Sequence, residues 1–184
     1  MPVLISLLRG INLINHNRIK MDELRKLYES LKLRQVETHI ASGNVVFVCR
    51  DQNLAKLAKR IEDQIEKSHG FRPSVILRTP EEMRDAIARN PFAERQLNPS
   101  NVLVTFLATH PSAEACAKVR AIKADPEELH LDGREVYIYF PNGQGQSNLS
   151  WVSVEKALKV RGTGRNWRVV LKLLEIAEKL EASS

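Results

Sequence analysis

The chain has 184 residues, enough for one large domain or for two small ones that share a core. Its hydrophobic fraction of 43% and charged fraction of 27% are typical of a globular protein, and no stretch approaches the roughly 18 consecutive apolar residues that a membrane span requires. The formal net charge of +6 favours an anionic partner.

The N-terminal residues and the cysteines bear on where the protein is located. Met1-Pro2 leads into a short apolar run that Arg9 ends, and no signal-peptide cleavage site follows. Cys49 and Cys116 are far apart in the sequence, which argues against a disulfide framework and against a CxxC metal site. We therefore predict a reduced cytoplasmic protein that has no membrane partner.

The first half of the chain predicts one β-α-β-β-α-β unit. Apolar runs indicate the strands, and apolar side chains at helical spacing indicate the helices. The predicted elements are a strand at 3–8, a helix at 21–31, a hairpin with strands at 36–40 and 45–48, a helix from 54 to about 70, and a strand at 75–77. This order predicts the ferredoxin-like arrangement, in which the strands lie in the order four-one-three-two and all neighbours are antiparallel.

That arrangement has a consequence for the candidate site. The end of the first strand and the turn between the second and third strands lie at the same edge of such a sheet. Arg9-Gly10-Ile11-Asn12 and Ser42-Gly43-Asn44 are therefore predicted to meet in space, although about 30 residues separate them.

The second half repeats the pattern. Thr79-Pro80-Glu81-Glu82 predicts a helix start with a capping box. Beyond the connection, we predict a strand at 102–107, a helix at 112–121, hairpin strands at 127–131 and 135–140, and helices at 151–160 and 166–180. The closing strand of this copy is expected to be missing or replaced by helix.

The fold class is thus α+β, with two ferredoxin-like-looking β-α-β-β-α units and antiparallel or mixed sheets. We divide the chain into an N-terminal half at 1–79, a helix and connection at 80–100, and a C-terminal half with terminal helices at 101–184.

The first candidate site is the predicted edge. Arg9 supplies a guanidinium group, Asn12 and Asn44 supply amides, Ser42 supplies a hydroxyl, and the glycines supply backbone N–H groups. These groups suit a carboxylate or a phosphate. The alternative is structural: asparagine and glycine shape tight turns, and Arg9 pairs with a nearby carboxylate.

The second candidate site is the start of the last helix. Arg165-Asn166-Trp167-Arg168 lies where the helix dipole is positive, so an anionic ligand there would relieve the repulsion. In the alternative interpretation, Asn166 caps the helix and Trp167 anchors it in the core. The surrounding segment is basic, with Lys156, Lys159, Arg161 and Lys172 nearby.

The sequence lacks the common motifs for zinc binding, phosphate binding and nucleophilic catalysis. The five histidines have no zinc-binding spacing, and there is no GxxxxGK[ST] or GxGxxG sequence. No catalytic triad can be assembled. We predict no metal and no cofactor, and we assign no catalytic residue.

Several short sequence motifs resemble those of one known family. They are Leu7-Leu8-Arg9-Gly10-Ile11-Asn12, Ala41-Ser42-Gly43-Asn44-Val45-Val46-Phe47, Asn90-Pro91-Phe92, Val136-Tyr137 with Pro141 and Gly143, and Thr163-x-Arg165-Asn166-Trp167. Together they resemble the widespread bacterial domain-of-unknown-function family sixteen-ninety-seven. The resemblance implies an α+β protein built from two ferredoxin-like-looking halves, and it implies no known activity. The chain departs from the family pattern at Leu13-Ile14-Asn15, where Val-Gly-Gly is common, and at Arg168-Val169, where Asn-Thr is common.

Three functional hypotheses follow. We favour a binding protein for a small anionic ligand, either a nucleotide or a phosphorylated metabolite, held by Arg9, Gly10, Asn12, Ser42, Gly43 and Asn44 with help from Arg165, Asn166 and Trp167. One alternative is a nucleic-acid-binding protein that uses the basic C-terminal segment, with Tyr137 and Tyr139 on one strand face. The other is an enzyme whose reaction is not identified. The sequence gives no indication of the oligomeric state.

Overall fold

A computed structural model describes residues 1–183 of the chain. The described residues divide into two compact units, one formed by Met1–Met83 with the residues from Lys172 onward, and the other formed by Arg84–Leu171. The unit boundaries therefore fall inside two helices, whereas the sequence-based division placed the whole C-terminal segment in the second half. No described helix is both long enough and apolar enough to cross a membrane.

The first unit contains a four-stranded sheet in the order β2-β3-β1-β4, in which all neighbouring strands are antiparallel. The expected four-one-three-two order is confirmed. Its elements are β1 (Val3–Arg9), α1 (Met21–Ser30), β2 (Arg34–His39), β3 (Asn44–Val48), α2 (Leu54–His69) and β4 (Ser74–Arg78).

The core of the first unit lies between the sheet and the helices α1 and α2. Leu57 and Ile61 are fully buried one turn apart on α2, at the spacing of an amphipathic face, and Leu24 is fully buried on α1. Tyr28 is fully buried on α1, where its hydroxyl shares a 2.8 Å hydrogen bond with Ser6 Oγ of β1. Since buried polar groups need partners, this bond allows a tyrosine and a serine inside an apolar core.

Each of the two remaining helices is divided between the two units. The helix α3 (Pro80–Ala88) begins at the predicted capping box, in which Glu82 N donates to Thr79 Oγ1 at 3.1 Å and Thr79 N donates to Glu82 Oε2 at 2.9 Å. The helix α6 (Trp167–Ser183) ends the described chain. Its C-terminal part belongs to the first unit, where partial burial and the neighbouring Lys172 lower the pKa of His39 on β2.

The second unit also contains a four-stranded antiparallel sheet, in the order β6-β7-β5-β8. Its elements are β5 (Val102–Leu107), α4 (Ala113–Arg120), β6 (Glu128–Asp132), β7 (Glu135–Tyr139), α5 (Trp151–Leu158) and β8 (Gly162–Asn166). The fold class is thus α+β, with the same strand order in both sheets.

The strand β8 corrects the prediction that the second copy lacks its closing strand. Gly162–Asn166 pairs antiparallel with β5 over five residue pairs. The segment Gly-Thr-Gly-Arg-Asn has no apolar run and contains two glycines, so its composition argues against a strand. Glycine is nevertheless required at Gly162, because a Cβ atom there would lie 2.8 Å from Thr105 Cγ2 on β5.

Candidate functional site

The two predicted edge segments meet in the structure. Leu8 N donates to Gly43 O at 2.8 Å, and Asn12 Nδ2 donates to Ala41 O at 2.8 Å. Gly43 is packed so closely against the first segment that a Cβ atom there would lie 2.8 Å from Leu8 Cβ and from Ile11 Cδ1. The predicted proximity is confirmed, and ligand binding at this edge stays a prediction.

The two amides at this edge are occupied by the protein itself. Asn12 Oδ1 accepts from Ile19 N at 2.8 Å, so both ends of the Asn12 amide bind backbone groups. Asn44 is fully buried, and its Nδ2 donates to His39 O and to Ser42 Oγ, each at 2.9 Å. These contacts favour the structural alternative for both asparagines, since a side chain that shapes turns in this way has little hydrogen-bonding capacity left for a ligand.

The structural role of Asn12 can be tested by mutation. Asn12→Ala removes two hydrogen bonds and leaves the Ala41 carbonyl and the Ile19 N–H without those partners. We expect the free energy of unfolding to fall by about 1.5–3 kcal/mol, measured by urea denaturation. Asn15→Ala is the control: Asn15 is exposed in the same loop and makes no side-chain hydrogen bond within residues 1–183, so stability should not change. Equal stabilities for both variants would contradict the structural role.

The second predicted site, at the start of α6, lies in the other unit. Arg165 is only 6% exposed; its Nη1 donates to Thr163 Oγ1 at 2.7 Å and to Gly164 O at 2.8 Å. Burial lowers the pKa of Arg165 to about 10. Asn166 Oδ1 accepts from Val169 N at 3.0 Å, so the predicted cap is confirmed, and Trp167 is half-buried as the first residue of α6.

Several side chains that suggested a nucleic-acid-binding surface are buried or contact other groups of the protein. Arg165 is buried, and Lys172 forms an ion pair with Glu175 at 2.9 Å. Tyr137 is fully buried and donates to Ala86 O at 2.6 Å. The ring of Tyr139 has the Arg95 guanidinium 5.4 Å from its centroid. A flat, exposed aromatic surface of the kind that stacks bases is therefore not formed by these two tyrosines.

A basic crevice lies at the opposite end of the first sheet from Arg9. It has a volume of about 440 Å³ and is formed by Met1, the α1–β2 connection with the start of β2, the end of β3 with the β3–α2 connection, and Arg60 of α2. Its lining residues are Met1, Leu31, Lys32, Leu33, Arg34, Val48, Cys49, Arg50, Asp51 and Arg60. This volume is within the range of about 300–1,000 Å³ that small-molecule sites occupy.

The charge of the crevice is unbalanced. Lys32, Arg34, Arg50 and Arg60 line it together with one carboxylate, Asp51. Arg60 Nη1 is 3.1 Å from Asp51 Oδ2, whereas within residues 1–183 the other three cationic side chains form no ion pair. Three positive charges are therefore left without a carboxylate partner, and such a cluster is stabilised by an anion.

Backbone conformation, strand pairing and hydrogen bonds position the segments that form the crevice. Lys32 follows the C-terminal cap of α1 with a left-handed backbone, φ 63°, which turns the chain into β2. Arg34 then pairs with Val48 across the β2–β3 ladder. On the far side, Cys49 Sγ accepts from Asp51 N at 3.2 Å, and Arg60 Nη2 donates to Leu31 O at 3.3 Å.

A second crevice occupies the equivalent place in the second unit. It lies between the α4–β6 connection and the start of α5, and its volume is about 220 Å³. Its charged lining residues are Lys123, Asp125 and Glu127. The two units thus share the position of the crevice, but only the first crevice has an excess of positive charge.

The basic crevice is not among the sites predicted from the sequence, although the sequence contains a signal for it. Lys32 and Arg34 flank the start of the second strand, and Arg50 follows the end of the third. In a β-α-β-β-α-β unit those two positions lie at one end of the sheet, just as Arg9 and Ser42 lie at the other end, so the topology predicts that these cations are close together.

Within residues 1–183, no three His, Cys, Asp or Glu side chains are grouped so that they could hold a metal ion.

Comparisons with known proteins agree with this architecture. A family model described as "Protein of unknown function (DUF1697)" matches residues 1–137, which include the crevice and both edge segments. The chain belongs to the DUF1697 family. The structure of this DUF1697 protein is similar to that of conserved bacterial protein SP0830 from Streptococcus pneumoniae, with a TM-score of 0.71 and 24% sequence identity. The match covers 97% of this chain and 99% of SP0830, and it shows the fold. No curated protein sequence matches the chain.

Proposed function

We propose that this DUF1697 protein binds a small anionic ligand in the basic crevice of its first unit. The observation that supports the proposal is the set of three cationic side chains, Lys32, Arg34 and Arg50, that face a cavity of about 440 Å³ without an ion-pair partner in the described chain. A nucleotide or a phosphorylated metabolite belongs to the ligand class that such a site suits. We also propose a cytoplasmic location, since Cys49 and Cys116 are both free thiols.

The crevice is a better anion site than the Arg9 edge because its donors are available. At the edge, Asn12 and Asn44 already bind backbone and side-chain groups. In the crevice, Arg60 is held in place by Asp51 and by Leu31 O, and so it enters the cavity with little side-chain freedom left to lose. A preset arginine beside flexible cations is an arrangement suited to a phosphate group.

The test removes charge from the crevice while preserving the fold. In the double variant Lys32→Gly/Arg34→Ala, glycine suits the left-handed backbone of Lys32, and Arg34 is exposed on an edge strand. Hydrogen bonds to charged groups contribute about 1.5–3 kcal/mol each, so we expect binding at least 100-fold weaker. The measurement is calorimetric titration with phosphate, pyrophosphate, a sugar bisphosphate and ADP.

The control is the double variant Lys123→Ala/Arg120→Ala. It removes the same formal charge from the second unit, next to the equivalent but less basic crevice. Affinity equal to that of the wild type is expected for this control. Equal losses in both double variants, or a wild type that binds no compound, would contradict the proposal. Binding of a short oligonucleotide with a steep dependence on salt would favour the nucleic-acid alternative instead.

A further inference from the structure

We infer that the basic crevice recognises a diphosphate group on a ligand that has no aromatic base, and this inference rests on the proposed function. Both the number of charges in the crevice and the chemistry of its walls lead to this ligand class.

The charge of the crevice exceeds what one phosphate group supplies. Four cationic side chains and one carboxylate leave a formal excess of three positive charges. A single phosphate monoester carries about −1.5 to −2 at pH 7. Two linked phosphate groups carry roughly three charges and so compensate the excess. The cations are also spread over three chain segments: Lys32 and Arg34 lie in the α1–β2 connection and at the start of β2, Arg50 lies in the β3–α2 connection, and Arg60 lies on α2. One compact phosphate is a poorer match to such a spread than a chain of two.

Within the described chain, the walls of the crevice offer no aromatic face on which a base could stack. The uncharged lining residues are Met1, Leu31, Leu33, Val48 and Cys49, and no aromatic side chain lines the cavity within the described chain. Two of the three arginines that line the crevice have internal partners: Arg60 pairs with Asp51, and Arg50 Nε donates a 3.1 Å hydrogen bond to Met1 Sδ. Proteins that bind bases without reading their edges use aromatic faces for stacking, which supply a large part of the affinity. The base of a nucleotide therefore gains little in this crevice.

The walls do suit a short aliphatic group. Leu31, Leu33 and Val48 line the cavity beside the cations. A small aliphatic chain attached to a diphosphate can bury its apolar surface there while its phosphates bind the charged side chains.

The experiment compares three probes on the wild-type protein by calorimetric titration in EDTA: inorganic phosphate, pyrophosphate and ADP. We expect pyrophosphate to bind at least tenfold more tightly than phosphate, and ADP to bind within threefold of pyrophosphate. An ADP affinity more than fivefold tighter than that of pyrophosphate would show that the base is recognised, because stacking on one base strengthens binding by about that factor or more. That result would overturn this inference and leave the proposed function intact, as would equal affinities for phosphate and pyrophosphate. Binding of none of the three would overturn both.

The variant Arg34→Lys separates charge from shape. It keeps the positive charge and removes the planar guanidinium of Arg34, which is the one guanidinium lining the crevice that has no hydrogen-bond partner in the described chain and is therefore available to stack on a base. We expect the ratio of the pyrophosphate and ADP affinities to stay the same in this variant. A selective loss of ADP binding would assign base stacking to Arg34 and overturn the inference.

Discussion

Gly43→Ala is expected to lower the free energy of unfolding by about 2–4 kcal/mol, and the melting temperature by about 5–15 °C. Gly43 has φ +85°, a backbone region that costs an alanine about 1–2 kcal/mol. A Cβ atom would also lie 2.8 Å from Leu8 Cβ, which belongs to a central strand and cannot move without its backbone. Overpacking of this kind adds about 1–3 kcal/mol, offset in part by the lower entropy of the unfolded chain.

Gly10→Ala is the matched control for Gly43→Ala. Gly10 has φ +82°, almost the same as Gly43, but no atom lies within 4 Å of the position that its Cβ would occupy. Only the conformational penalty applies, so we expect a loss of about 1 kcal/mol. Thermal denaturation of the two variants separates the steric cost from the conformational cost. Equal losses would mean that the two edge segments are not in the close contact described above.

Phe47→Ala is expected to lower the free energy of unfolding by about 3–5 kcal/mol, since it removes a large buried side chain and leaves a cavity. Phe47 lies on β3 and is fully buried, and its ring packs edge-to-face against Tyr28 with the centroids 5.4 Å apart. Because β3 leads directly into Cys49 and Arg50, the same change should loosen one wall of the basic crevice. Denaturation in guanidinium chloride measures the stability.

Phe47→Leu supplies the comparison. Leucine keeps much of the buried volume, so we expect a loss below about 1.5 kcal/mol. If Phe47→Ala cost no more than Phe47→Leu, the side chain would not occupy the packed core position that the structure gives it.

Some of this architecture follows from sequence patterns alone. The apolar run of β1 predicts a strand that is buried on both faces, and β1 lies inside its sheet between β3 and β4. The order of strands and helices in the first unit then predicts both the strand order and the proximity of Arg9–Asn12 to Ser42–Asn44, where Asn12 binds Ala41 O across 29 residues. Burial patterns repeat over a few residues, so they can be recognised without knowledge of the rest of the chain.

The strand β8 shows where such patterns fail. Its five residues contain two glycines and no apolar run, and its identity as a strand depends on hydrogen bonding to β5, more than fifty residues earlier. The glycines that weaken the local preference are the residues that allow close packing, as Gly162 against Thr105 illustrates. Tertiary contacts override local propensity in such a segment.

The sequence by itself determined the α+β class, the order of elements in the first unit, the helix cap at Thr79, and the proximity of the two edge segments. Only the tertiary structure decided which polar groups are available to a ligand. It directs the amides of Asn12 and Asn44 to internal partners, and it brings Lys32, Arg34, Arg50 and Arg60 around one cavity. The physical reason is that periodic burial is a local property of the chain. The hydrogen-bond partner of an amide and the summed charge around a cavity depend instead on residues that only folding brings together.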